Sequence, residues 1–319
     1  MGNGSMYLVS VSVITYNSEK TIIDTLESIY NQTYPNLELI VSDDCSTDNT
    51  VQVCCEWIEA HKERFARTEL LTVEKNTGIS ANFNRAGAAC KGEWVKEIAG
   101  DDLLLPDCVY DCHEFSIQHP DIKCFFGKIR AFGADSEYCN WLTNVFSERN
   151  DTMSMLDREE LLHMITKGNT PPAPAFFYNR SFLIQNQIKN DERIPFIEDL
   201  PKWVSMLKKG IVFGFMDKEI VKYRVGGIST SKAWQSPELY RNRRLTFFYY
   251  QFDCLYSDNP EIAINDIVNE ECDVYGRLMH AMEQLSAIKS SFAYKVGYAI
   301  ISPNRILGKI WNRIRKSQL

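Results

Sequence analysis

The chain has 319 residues, 45% of them apolar and 24% charged, with a formal net charge of −7 at pH 7. This is ordinary globular usage, which excludes disorder as the dominant state and leaves room for one large domain or two smaller ones. Sixteen Gly and eleven Pro are too few for a fibrous chain, and no apolar run approaches the ~18–20 residues of a membrane span. Met1–Ser5 reads like an expression scar and is set aside, and the residues after it lack the basic-then-apolar layout of a signal peptide. The ten cysteines are scattered without a CxxC pair, which suits buried thiols in a reducing cytoplasm. Cys108-x3-Cys112-His113 resembles a metal cluster only loosely. From Lys289 to the C-terminus there are seven basic residues and no acid, while the other 288 residues carry 28 basic and 42 acidic, a net of −14. An acidic body repels nucleic acid, and a basic tail on it suggests an anionic membrane surface.

In chain order, Val9–Ile14 alternates and is β-branched, which predicts a strand. Ser18 caps a helix over Glu19–Tyr30, with Ile22, Leu26 and Ile29 on one face. Leu37–Val41 is a strand ending at Ser42-Asp43-Asp44, and Thr47-Asp48 opens a helix reaching about Glu63. Glu69–Val73 is a third strand and Ile79–Cys90 a helix. Glu93–Ala99 is a fourth strand, ending at Gly100-Asp101-Asp102, and Pro106 opens a helix to about Gln118. Beyond about residue 127 the alternation fades. Lys128–Met153 is ambiguous, Asp157–Lys167 reads as a helix, and Thr170–Pro174 forbids one. Ala175–Tyr178 and Ile211–Met216 read as strands, Glu238–Leu255 and Val268–Ser286 as long helices. Ser302-Pro303 starts a terminal helix over Asn304–Lys316, with Ile306, Ile310, Ile314 and Trp311 beside a basic stripe.

Strand–helix alternation predicts an α/β fold with a mostly parallel sheet flanked by helices, followed by a helical C-terminal extension. Ligands of such sheets sit beyond the carboxyl ends of the strands. There the sequence puts Thr15-Tyr16-Asn17, Asp43-Asp44, Asn76 and Asp101-Asp102. Adjacent carboxylates such as Asp101-Asp102 repel unless compensated, and a hard divalent ion bridging carboxylate and phosphate oxygens would compensate them. No GxGxxG follows the first strand, and GxxxxGK[ST], GxSxG and HxxxH are absent. These absences argue against a dinucleotide-dependent dehydrogenase, a P-loop enzyme and an esterase.

The run Val11–Asn17 (VSVITYN), then Glu38–Thr50 (ELIVSDDCSTDNT), Asn76-x-Gly78 and Gly100-Asp101-Asp102-x3-Pro106 closely resembles glycosyltransferase family 2, with its Rossmann-like GT-A fold. Ile197-Glu198-Asp199 and Tyr223-Arg224, followed by Gly227-x-Ser229-x-Ser231, extend the likeness to about residues 8–231. The resemblance implies that Tyr16 stacks on uracil, that Asp44 accepts from the uracil N3–H, and that Asn76 and Arg85 line the donor. It also implies that Asp101 lies near the ribose, that Asp102 ligates Mn2+ or Mg2+ on the diphosphate, and that Arg224 approaches that diphosphate from a closing loop. Of the acidic pair Glu198-Asp199, Asp199 is the expected base. The sequence departs from the family pattern at Ala99, where an Asp is common, and at Gly226, where a His is common.

The implied activity is inverting, metal-dependent transfer of one hexose from a UDP-sugar to a hydroxyl of a saccharide acceptor. The acceptor would be an undecaprenyl-diphosphate-linked saccharide at the inner face of the cell membrane, as in O-antigen or capsule assembly. The expected divisions are a nucleotide-sugar-binding half over residues 6–127, an acceptor-binding and catalytic-base half over 128–235, and a helical extension over 236–319. A nucleotidyltransferase on a similar sheet and a catalytically silent carbohydrate-binding protein are the rival readings, and the oligomeric state stays open.

Overall fold

A computed structural model describes residues 6–226, 237–251, 280, 283 and 284. Residues 6–251 belong to one compact unit. Its centre is an eight-stranded sheet of order β3-β2-β1-β4-β7-β6-β8-β5. Strands β1 (Val9–Thr15), β2 (Leu37–Asp43), β3 (Arg67–Leu71) and β4 (Trp94–Ala99) alternate with helices α1 (Ile22–Tyr30), α2 (Thr50–His61) and α3 (Ile79–Ala89). They pair in parallel, as the βα alternation requires. Every residue of β1 and β2 is buried, as expected of strands covered on both faces. The acid inside β2, Glu38, accepts from Ser10 Oγ, Arg67 and the Lys91 N–H at 2.7 Å.

The sheet then changes character. The short β5 (Leu103–Leu104) leads to α4 (Cys108–Gln118), β6 (Cys124–Phe132), α5 (Ser136–Met153) and α6 (Arg158–Thr166). β7 (Phe176–Asn179) runs antiparallel to both β4 and β6, and β5 antiparallel to β8 (Gly214–Arg224). Four of the seven pairings are parallel, so the sheet is mixed rather than nearly all parallel. Strand β6 spans residues 127 and 128, where its register with β8 shifts. One core packs β1, β2, β4 and β6 with α1 and α4, and a second packs β6 and β7 with α6 and α8 (Asp199–Lys208) around Trp203. The short α7 (Arg180–Gln185) follows β7, and α9 (Pro237–Thr246) continues as a π-helical turn over Phe247–Gln251.

Several sequence expectations shift. Helix α1 starts at Ile22, because Ser18 and Glu19 donate their N–H groups to Thr50 Oγ1 and Asp48 and stay outside it. Helix α2 starts at Thr50, because the Thr47 N–H is committed to Asn17 Oδ1 and the Asp48 carboxylate to Thr50 and Glu19. Strand β3 spans Arg67–Leu71, two residues ahead of the expected Glu69–Val73 at both ends. The ambiguous stretch 128–153 resolves into the end of β6 and all of α5, whose Asp135 cap accepts from the Tyr138 N–H. Strand β8 begins at Gly214 and runs through charged residues to Arg224, because Asp217 and Lys218 face solvent while Ile220 and Val221 are buried. The helices expected over 268–286 and 304–316, the basic tail, and Gly227-x-Ser229-x-Ser231 lie almost wholly outside the described residues. Among the described residues no helix is long and apolar enough to cross a membrane.

Candidate active site

The carboxyl ends of β1, β2 and β4 open into a cleft of about 1010 Å3. Tyr16, Asp44, Asn76, Asp101, Asp102, Glu198, Asp199 and Arg224 all line it. Of the residues expected at the site, only Arg85 stands behind the wall.

The β1 end is shaped by hydrogen bonds to the next loop. Asn17 adopts φ +51°, a left-handed conformation that Asn tolerates. Its N–H donates to Ser46 Oγ and its side-chain carbonyl accepts from the Thr47 N–H, both at 2.8 Å. Tyr16 is thereby held at the rim, 45% exposed, with its ring free for stacking.

Asp44 is buried and fully engaged. Its carboxylate accepts from the Thr77 N–H (2.9 Å), the Gly78 N–H (2.7 Å), Thr77 Oγ1 (2.5 Å) and Arg85 (3.0 Å). Four donors match the four lone-pair sites of a carboxylate. A uracil N3–H would therefore have to share or displace one of them. Arg85 also donates to Ser42 Oγ and Asn82 Oδ1, so it clamps Asp44 rather than lining the donor. Asn76 donates to the Asp44 carbonyl at 3.2 Å. Gly78, at φ +89°, is required here: a Cβ would collide with Pro195 and come within 2.8 Å of its carbonyl oxygen. The Ser80 side chain and N–H donate to the Ile194 and Pro195 carbonyls, tying α3 to the segment ahead of Glu198-Asp199.

The Asp101-Asp102 turn hangs on α1. Thr21 Oγ1 donates to the Gly100 carbonyl and Thr25 Oγ1 to the Asp102 carbonyl, both at 2.8 Å, while Ser28 Oγ accepts from the Leu104 N–H at 3.0 Å. Spacings of four and three put these hydroxyls on one helix face. No motif search finds them, because small hydroxyls on a helix carry no chemical signature of their own. Asp102 is only 2% exposed, so it is not the solvated rim carboxylate that its position in a turn suggests. Its Oδ1 accepts from the Arg224 N–H at 2.8 Å. Burial, and then the charge of Asp101, raise its proton affinity well above the ordinary value; the Arg224 N–H and Lys96 oppose this. Asp101 is raised too, by burial. Arg224 is turned toward the turn itself, donating to the Asp101 carbonyl (2.7 Å) and to Asp24 (3.0 Å).

These two carboxylates suit a hard cation, since both are oxygen donors and both are held short of compensating charge. Among the described residues no three His, Cys, Asp or Glu side chains gather at one point. A cation here would thus be held by one or two carboxylates, with its remaining positions open to phosphate oxygens and water, as Mg2+ is commonly bound.

Facing this turn from the other half of the cleft, Glu198 occupies the N-cap position of α8 without a side-chain capping bond, and Asp199 is the first helical residue. Asp199 Oδ1 accepts from the Leu200 N–H at 2.6 Å. Burial, and next the charge of Asp199, push Glu198 up to about 8; burial raises Asp199 as well. A carboxylate pair that retains one proton suits proton transfer near neutral pH. Three further features of the cleft are silent in the sequence: the Glu97–Lys202 ion pair, the Pro171–Pro174 wall, and Trp203. Lys96, fully buried, donates to the Pro174 carbonyl and fixes that wall. An interior lysine in a strand is the one signal that could have pointed there.

Two acid pairs, Asp101-Asp102 after β4 and Glu198-Asp199 at the start of α8, thus line one cleft, and the comparisons with known proteins place the chain in the glycosyltransferase class. The family model described as glycosyl transferase family 2 matches residues 10–186, and the chain belongs to that family. Chondroitin synthase of Escherichia coli is 29% identical over 153 residues, 47% of this chain but 21% of that one. TuaG of Bacillus subtilis, a glycosyltransferase whose name assigns it to teichuronic acid biosynthesis, is 25% identical over 253 residues, covering 76% of this chain and 87% of its own. WfgD of Escherichia coli, named a UDP-Glc:α-D-GlcNAc-diphosphoundecaprenol β-1,3-glucosyltransferase, is 36% identical over 99 residues, 31% of this chain and 37% of that one. Among solved structures, residues 1–349 of S. aureus TarS in complex with UDP-GlcNAc superpose with a TM-score of 0.57 at 22% identity, over 75% of this chain and 65% of that one. The mannosyltransferase PcManGT of Pyrobaculum calidifontis, in complex with GDP-Man and Mn2+, gives 0.55 at 18% identity, over 94% of this chain and 82% of that one. At these identities the structures establish the shared fold.

Proposed function

We propose that this glycosyltransferase moves one hexose from a UDP-sugar to a hydroxyl of a lipid-linked saccharide, with inversion and with a divalent cation. The observation that carries the reading is the meeting of two acid pairs in one cleft, Asp101-Asp102 on the nucleotide-facing rim and Glu198-Asp199 at the head of α8. Tyr16 stacks on the base, and Asp44 presents the Asn76–Gly78 loop and shares a lone pair with the uracil N3–H. Asp102 would hold Mn2+ or Mg2+, which would supply positive charge at the leaving diphosphate, with Asp101 beside it near the ribose. Arg224 orients that turn through its N–H and guanidinium. Asp199 takes the proton of the acceptor hydroxyl, with Glu198 retaining the proton that the crowded pair cannot lose.

The lipid-linked acceptor is supported by the activity named for WfgD, and attachment to the inner face of the membrane by the basic residues from Lys289 onward. Incubation with a panel of UDP- and GDP-hexoses, with Mn2+ or with excess chelator, tests the reading. UDP release that needs the cation and is stimulated by a diphosphoundecaprenyl saccharide is expected. Full turnover in chelator, or preference for a guanine nucleotide, contradicts it.

A further inference from the structure

Lys202 lies in α8 three residues after Asp199 and four after Glu198, spacings that bring side chains together on one helix face. Its side chain is 4% exposed. Its Nζ donates to both carboxylate oxygens of Glu97 in β4, at 2.9 and 2.7 Å, and lies 4.0 Å from the centre of the Tyr178 ring in β7. Lys202, Glu97 and Tyr178 line the cleft together with Glu198 and Asp199. A buried ion pair contributes little net stability compared with well-packed apolar side chains. Here the pair lines the same cleft as two acidic residues at the head of its own helix.

We propose that the Glu97–Lys202 pair is a positioning device that sets the charge state of Glu198-Asp199, the ammonium holding Asp199 ionised and Glu97 tempering that effect. The inference rests on the reading of Asp199 as the base. Asp101, Asp102 and Arg224 lie across the cleft, and on the dyad's own side, among the described residues, are Glu97 from β4, Tyr178 from β7 and Lys202 from α8 itself. Burial holds the Tyr178 phenol well above its ordinary value, so it stays neutral. Of the two charged groups, Glu97 raises the proton affinity of Glu198 and Lys202 lowers that of both carboxyls. Being of opposite charge, the two partners push the dyad in opposite directions, so each can be tested by its own substitution.

The test is the pH titration of the dyad in the full chain, read by carboxyl 13C NMR after Asp and Glu labelling, with Asp199→Asn and Glu198→Gln to assign the signals. The acid limb of the transfer rate is followed in parallel. Lys202→Met should move the titration and the limb to higher pH by about one unit, the scale of a nearby opposite charge. Lys202→Arg should restore both, and Glu97→Gln should move them to lower pH. Because removing one partner of a buried pair can unfold the chain, Glu97→Gln/Lys202→Met serves as the second variant, with midpoints between those of the singles, or above the wild-type Asp199 midpoint if the singles do not fold. Midpoints that stay in place in Lys202→Met, or that move the same way in both singles, overturn the proposal. If Asp199→Asn keeps full turnover, the base assignment fails instead, and the NMR midpoints still decide whether the pair sets the charge.

Discussion

The acid pair at the end of β2 and the two other acid pairs of the cleft, Asp101-Asp102 and Glu198-Asp199, are chemically alike and physically opposite. Asp43 accepts from the Ser46 N–H and its hydroxyl, and Asp44 from four donors. Among the described residues, Asp102 receives one hydrogen bond from another residue, the Arg224 N–H, and Asp199 one, the Leu200 N–H. The first pair spends its lone pairs on shaping the loops around the nucleotide pocket. Among the described residues the others receive fewer hydrogen bonds, and they carry raised proton affinities. Unspent acceptor capacity in a buried carboxylate distinguishes groups built to meet a cation or a proton from groups that hold a shape.

This contrast breaks most sharply at Asp102. Asp102→Asn should all but abolish transfer while the amide oxygen still accepts from the Arg224 N–H, and rates with and without added Mn2+ check it. Asp102→Ala should lose transfer to the same degree, since neither side chain presents a carboxylate to the cation, and denaturant unfolding should show the chain still folded. Next in size, Asp199→Asn should slow turnover by ~10²–10⁴ and leave UDP affinity in place, as calorimetric titration would show. Asp44→Ala should act through shape as well as contact. Donor affinity should fall about tenfold or more for the loss of a hydrogen bond to a charged group, with greater protease sensitivity near Thr77.

A smaller effect concerns pH. Glu198 binds its proton more tightly in the folded chain, about 8 against an ordinary 4.5. Its contribution to stability is thus fully present below about 4.5 and is lost as pH rises through about 8. Glu198→Gln, neutral throughout, should gain stability relative to the parent across that window, and melting temperatures from pH 5 to 9 check the sign.

Much of the donor side is legible in the sequence because its groups arrive in short contiguous runs at strand ends. Tyr16-Asn17, Asp43-Asp44 and Asp101-Asp102 each lie at or within two residues of the end of a β-branched or apolar strand, and parallel pairing brings those ends to one rim. The other side depends on partners far apart in the chain. Glu97 and Lys202 are 105 residues apart, and Ser80 and Ile194 are 114 apart. Periodicity gives no hint of such pairs. Strand β8 hides behind its charged, solvent-facing residues, and Arg85 resembles a donor ligand because a lone arginine beside a motif carries no sign of which way it turns. The burial of Asp102 is hidden for a related reason. A turn usually lies at the surface, but this one is roofed by Arg224, which arrives 122 residues later.

The central claim is that one cleft joins a cation-binding acid pair to a proton-accepting one. Its most direct measurement is UDP release from the UDP-hexose that supports turnover, with an acceptor present, for the parent chain, Asp102→Asn and Asp199→Asn, each across a Mn2+ titration. The account predicts cation-dependent release by the parent, near-complete loss in Asp102→Asn, and in Asp199→Asn a slow rate that keeps the parent's Mn2+ dependence. Equal Mn2+ curves for the parent and Asp102→Asn, or parental rates in Asp199→Asn, would contradict it.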